Sequence, residues 1–234
     1  MTENTKTSVI YIQQTCMKEF LIKLKKMIPL FIAQFFTWIA LFALWIYSTP
    51  VITRYVFNTL NAESDAFEKG TQWVGICFAF YSLLAATLTF LIPKLLTRMS
   101  KYRLHAYALL TGSIGLFSIY FIKSAYTLFL SFTFIGIAWS SISNIPYLII
   151  SDIAAEKDMS QYFSIFNFSI VIPQIIAAFF LGYMTKHFFN GETIYTIVTG
   201  AAFMFIAGII TLLFSFKNTE HKNIIVSTQN STLK

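Results

Sequence analysis

The chain has 234 residues, of which 56% are hydrophobic, 18% aromatic and only 12% charged, with a formal net charge of +7. A water-soluble domain carries roughly 25% charged residues, so this composition excludes a soluble globular enzyme, a disordered chain and a free-standing nucleic-acid binder. Two cysteines, Cys16 and Cys77, are too few for a disulfide framework and do not sit at metal-ligand spacing.

Residues 1–26 form a basic segment in which Lys18, Lys23, Lys25 and Lys26 interleave with Phe20, Leu21, Ile22 and Leu24. That pattern suits a solvated stop beside a membrane span, or a short helix on an anionic lipid surface. Six apolar runs follow, at 27–49, 72–93, 104–122, 126–150, 161–185 and 194–216, and none contains Asp, Glu, Lys or Arg. Each is long enough to cross about 30 Å of hydrocarbon as a helix, whereas barrel strands would be about ten residues of alternating polarity. The expected fold is therefore an all-α integral membrane domain of six transmembrane helices over 27–216, followed by a tail at 217–234. The spans fall into two groups of three, compatible with a repeated three-helix unit.

Thirteen of the 17 basic residues lie in the leading segment, the second and fourth connections and the tail; Arg54, Lys69, Lys123 and Lys186 lie on the opposite side. Cytoplasmic loops carry the excess of Lys and Arg, so the expected arrangement is a multi-pass protein of the cell (inner) membrane with both termini cytoplasmic. The net positive charge is then a topology signal and predicts no nucleic-acid partner.

In the first span Gln34, Trp38, Leu41 and Trp45 share one face by helical spacing. Aromatic planes can cover the apolar faces of a sugar ring while an amide fixes orientation, so Trp38 and Trp45 with Gln34 are a candidate sugar-facing surface. The alternative for Trp45 and Tyr47 is an interfacial aromatic belt, which leaves Gln34 and Trp38 as the candidate ligand contacts. The fourth span concentrates Trp139, Ser140, Ser141, Ser143, Asn144, Pro146 and Tyr147, a cluster too polar to face lipid. Ser140, Asn144 and Tyr147 share one face by helical spacing, and since each can donate and accept, they are candidate contacts for a polyol. Pro146 is expected to kink this helix by freeing the carbonyl of Ile142. The fifth span repeats the theme with Asn167, Ser169, Pro173 and Gln174, and Pro173 marks a second kink. The sixth span is nearly all apolar and reads as a peripheral helix. The same polar clusters could instead serve as packing glue between helices.

Catalytic chemistry is not expected. His105, His187 and His221 are dispersed over three segments, no carboxylate pair lies at membrane depth, and no phosphate-binding glycine loop is present. The reading is accordingly of a non-enzyme without metal or cofactor. No ionisable side chain lies near the midplane of a span, so a group coupling transport to a cation would have to come from another bundle.

The strings Gln34-Phe-Phe-Thr-Trp38, Trp139-Ser-Ser-Ile-Ser-Asn-Ile-Pro-Tyr147 and Phe166-Asn-Phe-Ser-Ile-Val-Ile-Pro-Gln174 resemble the second half of bacterial sucrose/maltose-type sugar carriers. These are relatives of the glycoside-pentoside-hexuronide cation symporters in the major facilitator superfamily. The resemblance implies that the six spans are helices seven to twelve of a twelve-helix fold. Their first and fourth helices would line a central cavity, and 1–26 would be the end of the connection between halves. It further implies cation-coupled movement of a disaccharide by alternating access, with lipid, sugar, a coupling cation and an N-terminal six-helix half or a second copy as partners. The inner loop with Arg98, Lys101 and Arg103 corresponds to the superfamily's gating turn but lacks its glycine. The alternative from another class is a membrane-embedded binding or assembly subunit that transports nothing.

Overall fold

The computed structural model describes the backbone of residues 2–154 and 156–232, and the side chains from residue 18 to 216 except at 19, 20, 23, 26, 155 and 157. The side chains of most of the basic leading segment and of the 217–234 tail lie outside the described residues. Among the described residues all regular structure is helical: α1 (Thr2–Tyr55), α2 (Asp65–Thr89), α3 (Ile92–Leu96), α4 (Lys101–Ser118), α5 (Leu128–Ile142), α6 (Ile145–Ile153), α7 (Met159–His187) and α8 (Thr193–Thr232). Six segments among the described residues are long and apolar enough to cross a membrane: Met27–Tyr55, Asp65–Thr89, Lys101–Phe121, Leu128–Ile153, Met159–His187 and Thr193–Phe216. The six apolar runs coincide with these spans.

The helix ends follow local chemistry. Ser64 caps α2, its Oγ accepting from the Phe67 amide at 3.2 Å, with Asp65 and Glu68 in the first turn where the helix dipole favours acid. Ser100 caps α4 in the same way through the Arg103 amide at 3.3 Å. Pro93 opens the short α3 at a position where its missing amide proton is harmless, so the second span stops at Thr89 rather than running on to Pro93. The α7–α8 turn passes through Asn190 and Gly191, both at positive φ.

The fourth span breaks where a kink was expected. Helix α5 ends at Ile142 and α6 begins at Ile145, with Ser143 and Asn144 between them. Because the helix restarts there, Pro146 falls in the first turn of α6 and interrupts no intrahelical bond. Pro173 is different, since α7 runs through it without interruption.

Helix α1 is the hub, packing on α8, α7 and α2, while α4 packs on α8 and α5, and α5 on α2. The main core joins Leu41, Leu44 and Ile52 to Tyr81, Leu109, Phe132, Ile135 and Met204. Towards the other end a second core joins Met27 and Leu30 to Ile92, Ile145, Ile149 and Phe166. Small residues let the backbones approach, the principal device for packing helices in lipid: a Cβ on Gly200 would lie 2.8 Å from that of Ala43. The sixth span therefore packs firmly along one face while the rest of it stays exposed, as at Phe205 and Leu213. Its glycine and alanine face is spent on α1 and α4, and the second span is the least buried of the six.

Candidate functional site

The residues that gather are aromatic. Trp38 and Trp45 of α1 lie 6.1 Å apart by ring centroid, and Trp139 of α5 stands edge-on to both, at 6.4 and 5.8 Å. Tyr81 of α2 joins edge-on to Trp139 at 6.5 Å and accepts a hydrogen bond from the Trp45 indole at 3.2 Å. Trp45 is thus held inside the bundle and does not form an interfacial belt. Sequence reasoning passed over Tyr81; its signal is the buried stripe Val74, Cys77, Tyr81 and Ala85 at helical spacing on α2.

Two buried polar atoms beside this cluster have no hydrogen-bond partner: the Trp38 Nε1 and the Oε1 of Gln34. Gln34 is 1% exposed. It lies one turn from Trp38, which meets Trp139 on α5, and one turn from Leu30, which packs with Ile145 and Ile149 on α6. That register sets Gln34 at the level of the α5–α6 break. An unpaired buried donor or acceptor costs about 1–3 kcal/mol, so a donor and an acceptor left open one turn apart are a stored capacity for hydrogen bonding.

At the break itself the polar side chains are engaged with the protein. The Asn144 carboxamide donates to Thr89 Oγ1 of α2 at 3.1 Å, to the Ser140 carbonyl at 2.8 Å and to Ser143 Oγ at 3.2 Å. The hydroxyls of Ser140 and Ser143 donate to the carbonyls of Ile137 and Trp139. Ser141 Oγ pairs with Nδ1 of the fully buried His105 at 2.9 Å, while His105 Nε2 has no partner. The interruption falls between Ser140, on α5, and Tyr147, in the first turn of α6 after its N-cap Asn144. The Tyr147 ring packs on Phe166 of α7 at 5.1 Å, edge to face. Asn167 is exposed and Gln174, two turns on along the same face of α7, is half-buried.

The two ends of the bundle are fixed by charge. At one end, Lys101 Nζ donates to Asp152 Oδ1 at 2.7 Å and to the Leu148 carbonyl at 3.0 Å, tying α4 to α6. Arg103 lies over the Phe216 ring at 5.6 Å, and Arg98 is exposed. At the other end, Glu192 accepts from Arg54 at 2.5 Å and from the Tyr55 hydroxyl, tying α1 to the α7–α8 turn. The Tyr55 hydrogen bond, followed by Arg54, holds the Glu192 carboxyl below the usual carboxylate range.

Among the described residues no group of His, Cys, Asp or Glu could hold a metal ion. The interior offers aromatic faces with neutral donors and acceptors, suited to an uncharged polyhydroxylated ligand rather than an ionic one. No family model matches the sequence. The chain is 24% identical over 217 residues to the Sucrose transport protein SUT5 of rice, in both Oryza sativa subsp. indica and subsp. japonica; the alignment covers 81% of this chain and 40% of each relative. The chain thus spans about two fifths of the length of the curated relatives it matches.

Proposed function

We propose that the chain forms a six-helix half, the C-terminal one, of a sugar carrier that moves a disaccharide such as sucrose or maltose by alternating access, coupled to a cation, with a proton as the first choice. The observation that carries this reading is the pair of unpaired buried atoms, Gln34 Oε1 and Trp38 Nε1, beside the cluster of Trp38, Trp45, Trp139 and Tyr81. Aromatic faces cover sugar rings, and one acceptor with one donor a turn apart can engage vicinal hydroxyls. The resemblance to sucrose transport proteins supports the same ligand class. Asn144, held by Thr89 and its own helix, is a candidate contact at the break, with Ser140 before it on α5, Tyr147 after it on α6, and Asn167 and Gln174 on α7 as further candidate contacts. Arg98, Lys101 and Arg103 act at the inner gate, where Lys101 meets Asp152.

The spans carry no Asp, Glu, Lys or Arg near their middles, so the coupling group belongs to the complementary bundle. The basic leading segment and tail then lie on the cytoplasmic side. The test is uptake of labelled sucrose and maltose into proteoliposomes that hold this chain, a complementary six-helix bundle, or both. Uptake above empty liposomes is expected only with both; sugar-dependent proton movement by this chain alone would contradict the division of labour.

A further inference from the structure

We propose that the bundle also carries a specific phospholipid site, with one acyl chain in a groove between α4 and α8 and an anionic headgroup at Lys123. The groove has a volume of about 400 Å³ and is lined by Ser113, Ile114 and Phe117 of α4 and by Ala201, Ala202 and Phe205 of α8, reaching from Val198 to Ile206 along the latter. Alanines form its floor, while Phe117 and Phe205, each about half exposed, form its walls. Ser113 spends its hydroxyl on the Leu110 carbonyl at 2.7 Å, so the groove offers a ligand almost only hydrocarbon. Val198 to Ile206 covers about 12 Å of helix, close to the ~15 Å that one leaflet's acyl chains occupy.

The polar end of the site lies where a headgroup would be. Tyr120 and Tyr195 are each three residues from a lining residue, Phe117 and Val198, towards the same end of the bundle, and their rings meet at 6.3 Å. Both are exposed, and paired tyrosines at the limit of a span sit at the lipid–water boundary. Lys123 follows directly. It is exposed, rests over the Tyr55 ring at 5.7 Å, and has no carboxylate at ion-pair distance among the described residues. The nearby Glu192 is already satisfied by Arg54 and Tyr55, so the charge of Lys123 is left for an anion. Hydrocarbon below, phenols at the boundary and an unspent cation above match an anionic glycerophospholipid in depth order.

The test uses the full chain in detergent and native mass spectrometry with phosphatidylglycerol, phosphatidylcholine and diacylglycerol of the same chain length. One phosphatidylglycerol per chain is expected to be retained in preference to the other two. Lys123→Gln should lower its retention about fivefold, the value of one lysine near an anionic lipid surface, with diacylglycerol unaffected. Ala202→Trp, which fills the groove, should remove both at an unchanged melting temperature. Equal retention of all three lipids by the wild-type chain and Lys123→Gln would overturn the site, leaving only a nonspecific lipid annulus. A dimer that Ala202→Trp converts to monomer would overturn it too, assigning the groove to self-association.

Discussion

The indole Nε1 of Trp45 donates a hydrogen bond to the hydroxyl of Tyr81 at 3.2 Å, across 36 residues of chain. Through this bond and the edge-on contact of Tyr81 with Trp139, the first, second and fourth spans share one aromatic cluster. Tyr81→Phe leaves the cluster packed but removes the acceptor of the half-buried indole. The loss should be about 1 kcal/mol, read as a fall in thermal stability in detergent. Trp45→Phe combined with Tyr81→Phe should cost less than the two changes added, since the pair is coupled. Strict additivity would mean that the bond is not formed.

Close helix approach makes a sharper prediction. A Cβ on Gly112 would collide with that of Ala138 and lie 2.8 Å from Met204 Sδ, whereas at Gly75 and Gly182 nothing lies within 4 Å. Gly112→Ala should therefore destabilise by about 1–3 kcal/mol through overpacking. Gly75→Ala and Gly182→Ala should be neutral or stabilising by up to about 1 kcal/mol through helix propensity. Melting of the three variants side by side checks the order.

The clamp at the Arg54 end is acid-labile. The Glu192 carboxyl is depressed by its bonds to Tyr55 and Arg54, and a group with a lowered folded value stabilises above its unfolded value and loses that contribution as pH falls through the folded one. The α7–α8 turn should therefore loosen from α1 as pH drops below the ordinary carboxylate range of about 4. A cysteine pair placed across Arg54 and Glu192 would remove the ionic contact, so hydrogen exchange of the turn is the suitable readout. Protection should fall at low pH in the wild type and be already low and pH-independent in Glu192→Gln.

The Lys101–Asp152 pair is more exposed, with Asp152 63% accessible. Exposed ion pairs contribute up to about 1 kcal/mol and are screened by salt. Asp152→Asn should shift melting little, and the shift should vanish in high salt. On the proposed carrier reading, the same change should alter the sugar exchange rate of the two-bundle assembly more than it alters stability.

Six spans and their approximate limits were legible because uncharged runs of membrane length report burial in lipid directly. What the sequence could not express was which faces meet. The sixth span is as apolar as a lipid-facing helix, yet Gly200 and Gly208 draw it against Ala43 of α1 and Leu110 of α4. Spacing grouped Ser140, Asn144 and Tyr147, but it did not express the break at Ser143–Asn144, which falls between Ser140 and Tyr147, or the contacts of Tyr147 with Phe166 and of Asn144 with Thr89, which come from other helices. Gln34 and Trp38 were legible as a pair one turn apart, whereas Tyr81, His105 and Glu192 take their roles from partners 36 or more residues away.

The proposed function depends most on Gln34 and Trp38 being kept for a ligand and not for packing. Trp38→Phe and Gln34→Leu each remove a buried polar atom that has no partner, so a packing role and a ligand role predict opposite outcomes. The decisive measurement is melting temperature together with labelled-sugar uptake for both variants in the assembled carrier. A ligand role gives unchanged or higher stability with the KM for sugar raised about tenfold, equivalent to about 1.4 kcal/mol of lost binding. Lower stability with unaltered uptake would contradict it and make the first span a packing helix.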